Sequence, residues 1–136
     1  MLEIFQTLIS TLIADPVLTA IVPVTSILTG PVDLTMETQA SLLYPSIVLW
    51  LVGETSRTVP LYARDTQIQL DIWSRNSQLE LETIYEQVLV DLNYLSGNQS
   101  TAHIFWERLG NAVDLFETDR RIWHRACTFV VWSTKP

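Results

Sequence analysis

Near the N-terminus, apolar positions recur at helical spacing. Leu2, Phe5, Leu8, Ile9, Leu12 and Ile13 fall on one side of a helix running to about Ala14. Asp15 followed by Pro16 has the form of an N-cap and a first helical residue, which predicts a short second helix over VLTAIV that Pro23 stops. Ile27 and Leu28 then make one brief apolar pair before the turn chemistry of Gly30-Pro31, so a short strand and a loop to about Leu43 are predicted. After Tyr44-Pro45 the run from Ile47 to Val52 is apolar at every position, the mark of a strand covered on both sides.

Strict alternation takes over in TQIQLDIWSRN, residues 66 to 76. Ile68, Leu70 and Ile72 point one way, and Gln67, Gln69, Asp71 and Trp73 the other. The first set reads as core. The second carries two amides, a carboxylate and an indole, and is either a solvated face or a docking face. Residues 54 to 65, ETSRTVPLYARD, separate this strand from the preceding one; such a connection is long for a hairpin, and long loops commonly make functional contacts.

The clearest element follows, a helix from about Gln78 to Leu95. Ser77 with Glu80 forms a capping-box signature, and Leu81, Ile84, Tyr85, Val88, Leu89, Leu92 and Leu95 make one apolar stripe that must lie on a sheet. SGNQ reads as the turn that ends it. Three further strands are predicted: His103 to Leu109, Ala112 to Glu117 and Arg121 to Trp132, with turns at Gly110-Asn111 and Thr118-Asp119-Arg120. Helices and strands are segregated, which indicates an α+β fold: an antiparallel β-sheet with a long amphipathic helix packed on one face and short N-terminal helices. A chain of 136 residues fits one domain, residues 1–136.

Composition narrows the function. Apolar residues at 48% and charged residues at 17% describe a globular chain with a large core, not a disordered one. The net charge of -7 repels phosphate backbones and argues against groove binding to nucleic acid. Cys127 is the sole cysteine, so a reducing compartment is expected, and the apolar N-terminus has no basic n-region, so a cytosolic, untargeted protein with no membrane span is expected. Asn98-Gln99-Ser100 matches a glycosylation sequon and, without a secretory signal, reads as chance.

Candidate chemistry is sparse. The sequence has no Gly-rich phosphate loop, HExxH, CxxC or GxSxG, so no cofactor and no enzymatic activity are expected. His124 and Cys127 would need hydrogen-bond contact to form a thiolate pair, and residues three apart in a strand diverge; Cys127 shares a face with Phe129 and Val131 and reads as a small buried hydrophobe. His103 and Glu107 fall on one face, but two ligands do not make a metal site. Glu80, Glu82, Glu86 and Asp91 read as the solvated side of the long helix. Trp50 and Trp132, in apolar strands, read as core. Trp73 and Trp123, among polar neighbours, are open to an interface assignment or to a core or plain surface one, since partly polar aromatic surfaces have the composition of interfaces.

YPSIVLW after a loop, TQIQLDIWSRNSQLELETIYEQVLVDL as a strand passing directly into a helix, and RRIWHRACTFVVW as a late strand together resemble the tail-completion proteins of long-tailed bacteriophages, that is, tail-terminator or head-to-tail joining proteins. The resemblance covers about three-quarters of the chain; AVDLFETD and the segment from Gly30 to Leu43 fit it less clearly. It implies a virion protein that assembles as a six-fold ring on the head-proximal end of the tail tube, stops tube growth and meets the head–tail connector or stopper protein. Genomic DNA would pass through an acidic lumen without specific binding. In such a ring, Gln67, Gln69, Asp71 and Trp73, with Tyr62 and Trp123, are candidate subunit or tube contacts. Arg57, Arg64, Arg120 and Arg121 are candidates for charge pairs across it. The alternative is a small dimeric α+β ligand-binding module in which Trp50, Trp106 and Tyr85 line an apolar cavity.

Overall fold

The computed structural model describes residues 2–30, 44–56, 63–93, 98–99, 102–108, 112–118 and 121–134. Among the described residues the helices are α1 (Leu2–Ile13), α2 (Pro16–Thr19) and α3 (Gln78–Asn93), with a 3-10 turn at Val24–Ser26. The strands are β1 (Ile27–Thr29), β2 (Ser46–Ser56), β3 (Ala63–Ser74), β4 (Asn98–Gln99), β5 (Ala102–Arg108), β6 (Val113–Glu117) and β7 (Ile122–Thr134). They form one sheet in the order β1-β2-β3-β7-β5-β4, with β6 also paired to β7. The fold is α+β.

Local chemistry fixes the helix starts. Asp15 caps α2 by accepting the Val17 amide at 2.9 Å, and Pro16 occupies the first turn. At α3, the Ser77 hydroxyl accepts the Glu80 amide at 3.1 Å, but the Glu80 carboxylate turns to Ser74 and Asn76, at 2.6 and 2.8 Å, instead of returning to Ser77. Half of the capping box is formed, and its other half ties the helix to the end of β3.

The apolar stripes pack against a single sheet face. Leu8 and Leu12 of α1, and Leu81, Ile84, Tyr85, Val88 and Leu92 of α3, form one cluster with Ile47, Leu49, Ile68, Leu70, Ile72, Cys127, Phe129 and Val131. Register explains the choice: Leu49 pairs with Leu70, and Leu70 in turn with Cys127, so these alternate positions share the helix side.

Several sequence-based expectations change. The sheet is mixed, because β1 pairs with β2 in parallel, Ile27 beside Ile47; hydrophobic pattern specifies a strand but not its direction. Half of the 12-residue connection is strand: β2 and β3 stay paired through Thr55–Asp65 and Ser56–Arg64, with residues 57–62 between them. Ladder hydrogen bonds need no apolar side chains, so the pattern gave no signal there. Asn98 and Gln99, taken as turn, pair with β5. The β2 run is buried from Ile47 to Leu49, whereas Leu51 and Val52 are 40% and 50% exposed, beside a register shift between Leu51 and Gly53. Ile13 is exposed instead of facing the core. Leu95 and the segment 31–43 lie outside the described residues.

Candidate interaction face of the sheet

The second face of the sheet begins with the alternation in β3 and continues across its neighbours. Ser46 pairs with Trp73 and Trp73 with His124; Val48 with Asp71 and Asp71 with Ala126; Trp50 with Gln69 and Gln69 with Thr128. Side chains from three strands therefore converge on Asp71. Its carboxylate accepts the Trp50 indole N–H at 2.7 Å, the Gln69 amide at 3.1 Å and the His124 Nε2 at 2.7 Å. The His124 ring stacks on Trp73, with centroids 3.7 Å apart and planes 7° from parallel. Asp71 and Trp73 are buried, while Gln67 is exposed and Trp50, Gln69 and His124 are partly so.

This arrangement uses most of the polar capacity of the face, but not all. The Trp73 Nε1, Ser46 Oγ and Tyr44 hydroxyl are buried with no hydrogen-bond partner among protein atoms. The Asp71–His124 pair resembles half of a nucleophile-activating relay, but the Ser46 hydroxyl on this face stands two strands away, about 10 Å from His124 at ordinary strand spacing. Trp73 fills the space between them. His124 and Cys127 emerge on opposite faces, and the Cys127 sulfur lies in the core 3.9 Å from the Leu70 carbonyl oxygen.

On the helix side, Arg125 is buried below α3. Its guanidinium forms two hydrogen bonds to Asp114, at 2.6 and 2.9 Å, contacts Glu82 and lies 4.9 Å from the Tyr85 ring centroid. Hydrogen bonding to Arg125 holds both Asp114 and Glu82 below their usual carboxylate range, and the same bonds raise the Arg125 pKa. Gln78 adds a 2.8 Å bond to Asp114, so β6, β7 and α3 are clipped together by one polar cluster.

A second polar contact joins α3 to the N-terminal helices. Gln87 donates to Asp15 at 2.6 Å. Burial, with the Asp15 hydrogen bond and charge, raises the Asp91 pKa to about 7. Burial also pushes Asp15 upward, but hydrogen bonds from Asp91, Gln87 and the Val17 and Leu18 backbone outweigh it, and its pKa is lowered. The expectation that Glu80, Glu82 and Asp91 form a solvated helix side is therefore corrected: each has a polar partner in a neighbouring element or segment.

The remaining candidates are dispersed. Trp123 is partly buried against the core on the helix side, 4.9 Å from the Phe116 ring. Arg121 is exposed at the start of β7 with a φ of 54°, a left-handed conformation that costs a non-glycine residue about 1 kcal/mol. Arg64 lies in β3, though its side chain, like those of His103, Trp106, Glu107 and Trp132, is outside the described residues, as are Arg57, Tyr62 and Arg120 entirely. Trp50 and Tyr85 lie on opposite sides of the sheet, so they do not line one cavity. An apolar cleft of about 390 Å³ lies elsewhere, between Phe5, Gln6, Ile9 and Ser10 of α1 and Thr29, Gly30 and Leu51.

Sequence reasoning missed Trp50 and His124 as partners of Asp71, and Asp114 as a partner of Arg125. A lone acid placed mid-strand between apolar positions was the available signal, since a buried carboxylate requires donors.

No family model and no curated protein matches the chain. Among solved structures, its fold is similar to that of a chain in the virion of a native gene transfer agent particle, with a TM-score of 0.62 and 11% sequence identity, covering 95% of this chain and 92% of that one. At that identity the likeness is one of fold.

Proposed function

We propose that the chain is a structural protein of a phage-like virion and, within that class, a tail terminator. It would cap the head-proximal end of the tail tube, stop its elongation and join the tail to the head connector as a hexameric ring around a DNA-conducting lumen. The observation that carries the reading is the similarity in fold, over nearly the full length of both chains, to a component of a gene transfer agent virion. A shared fold hosts many functions. The finer assignment draws on the motif order of the sequence, and the net charge of -7 suits a channel through which DNA slides. In this role the chain does no chemistry, and its partners are its own copies, the tube protein and the connector.

Electron microscopy of particles made without this chain tests the reading. Tails of uncontrolled length, unattached to heads, are expected; normal joined tails would overturn it. A dimeric ligand-binding module is the second reading, favoured by the cleft beside α1. It requires a rise in melting temperature with small apolar ligands, and Leu51→Trp, which fills that cleft, should abolish the rise.

A further inference from the structure

Asp15 stands at the corner between the two N-terminal helices. Its backbone N–H donates to the Leu12 carbonyl at 3.2 Å and its own carbonyl accepts the Thr19 amide at 3.0 Å, so α1 ends and α2 begins on this residue. Its carboxylate accepts the Val17 amide through Oδ1 at 2.9 Å and the Gln87 side-chain amide through Oδ2 at 2.6 Å. Asp91 follows Gln87 by four residues on α3, one turn further along the same face, which brings a second carboxyl group against the first. The Asp91 Oδ2 is buried and finds no donor among the described residues.

Two carboxyl groups in contact need a cation or a proton between them. Residues 1–56 and 76–107, which contain all three helices, have no Lys or Arg. Among the described residues the other elements packed on α3 supply no cation either. Arg125 of β7 is committed to Asp114 and Glu82, and Glu82 lies on the far side of α3, about two and a half turns before Asp91. Asp71 and His124 face away from the helices. On α3 itself, Glu80 is bonded to Ser74 and Asn76, and Glu86 is exposed. The side chains of Glu3, Arg64, Asp65, His103, Glu107 and Arg108 lie outside the described residues. A proton on Asp91 resolves the contact: its buried oxygen then donates to the Asp15 carboxylate, and burial together with the Asp15 charge favours that protonated form.

We propose that Asp15 and Asp91 share one proton, which latches the α1–α2 corner onto α3, and that loss of this proton lets the corner open more often. Leu8, Leu12, Leu18 and Val22 are fully buried in the core, so apolar packing keeps the corner docked on average at every pH. The proton sets the frequency of local opening. Between about pH 4 and 7 the docked corner holds a proton that the opened one has lost, so opening becomes more frequent as pH rises through this interval and levels off above it. Asp15 is held low and titrates below this window.

Amide hydrogen exchange of the full chain at pH 5 and pH 8, corrected for the intrinsic pH dependence of exchange, reads the latch segment by segment. Protection of residues 5–22 is expected to fall about tenfold between the two, and at pH 8 these residues should exchange about tenfold faster than β3 and β7. Asp91→Asn keeps a donor for Asp15 but cannot titrate, and should remove the fall. Asp15→Asn keeps a helix cap while removing the facing charge, and should reduce it. Carbon-13 NMR of the side-chain carboxyl groups follows the proton itself: the Asp91 carboxyl should titrate at about pH 7 in the wild type and lower in Asp15→Asn. A wild type whose protection of residues 5–22 does not fall, or matches that of β3 and β7 at pH 8, would overturn the latch. A fall that survives Asp91→Asn would assign it to another group and overturn it as well. An Asp91 titration unchanged in Asp15→Asn would overturn the shared proton, since burial alone would then account for it.

Discussion

Ile68, Leu70 and Ile72 leave β3 toward the helices and enter an apolar cluster; Gln67, Gln69, Asp71 and Trp73 leave toward the other side, where three strands converge on one carboxylate. Apolar burial is non-directional, so the helix face tolerates changes of shape provided its volume is kept. The Asp71 network depends on the position of each donor, and loss of the shared acceptor leaves three partly buried donors without it. The two faces share a backbone, but one supplies bulk stability and the other a defined arrangement.

The largest way to break the comparison is on the helix face. Phe129→Ala, at a fully buried position, should cost about 4 kcal/mol, read as a shifted urea midpoint with an unchanged slope. Next, Arg125→Ala leaves Asp114 and Glu82 facing each other without their cation and should cost about 3 kcal/mol. Because both carboxylates are held low, the stability they contribute is present above their unfolded pKa values and lost as pH falls through the folded ones. Acid titration of the wild type should therefore show a steeper loss below about pH 4 than Arg125→Ala does.

On the second face, Asp71→Ala strands the Trp50, Gln69 and His124 donors and should cost about 2 kcal/mol, whereas Asp71→Asn, which keeps one acceptor oxygen, should cost less. Equal costs for the two variants would show that the network contributes packing rather than hydrogen bonding. The smallest effect lies at the α2–α3 contact. Asp91 is raised to about 7, so its contribution is full below about pH 4 and lost as pH rises through 7. Asp91→Asn should flatten that decline and stabilise the chain by about 1–2 kcal/mol above pH 8, measured by denaturation across pH.

Periodicity located α1, α3, β3 and β7 within a few residues, because each carries an apolar stripe that only one secondary structure aligns. It did not locate the extensions of β2 and β3 beyond Gly53, where pairing continues through main-chain groups that all residues share. The site was legible in part. Gln69, Asp71 and Trp73 stood out as an unusual face, but their partners Trp50 and His124 lie on other strands, and a single sequence without register cannot bring them together.

By itself the sequence determined an α+β chain with a helix-covered sheet face, an acidic balance and Asp15 and Ser77 as helix caps, because composition and short-range spacing act within a turn or a strand. Tertiary structure alone decided the parallel entry of β1, the burial of Asp71 and Trp73 and the Arg125 clip. Those depend on which strands become neighbours, and pairing across tens of residues is set by register, which no local pattern encodes.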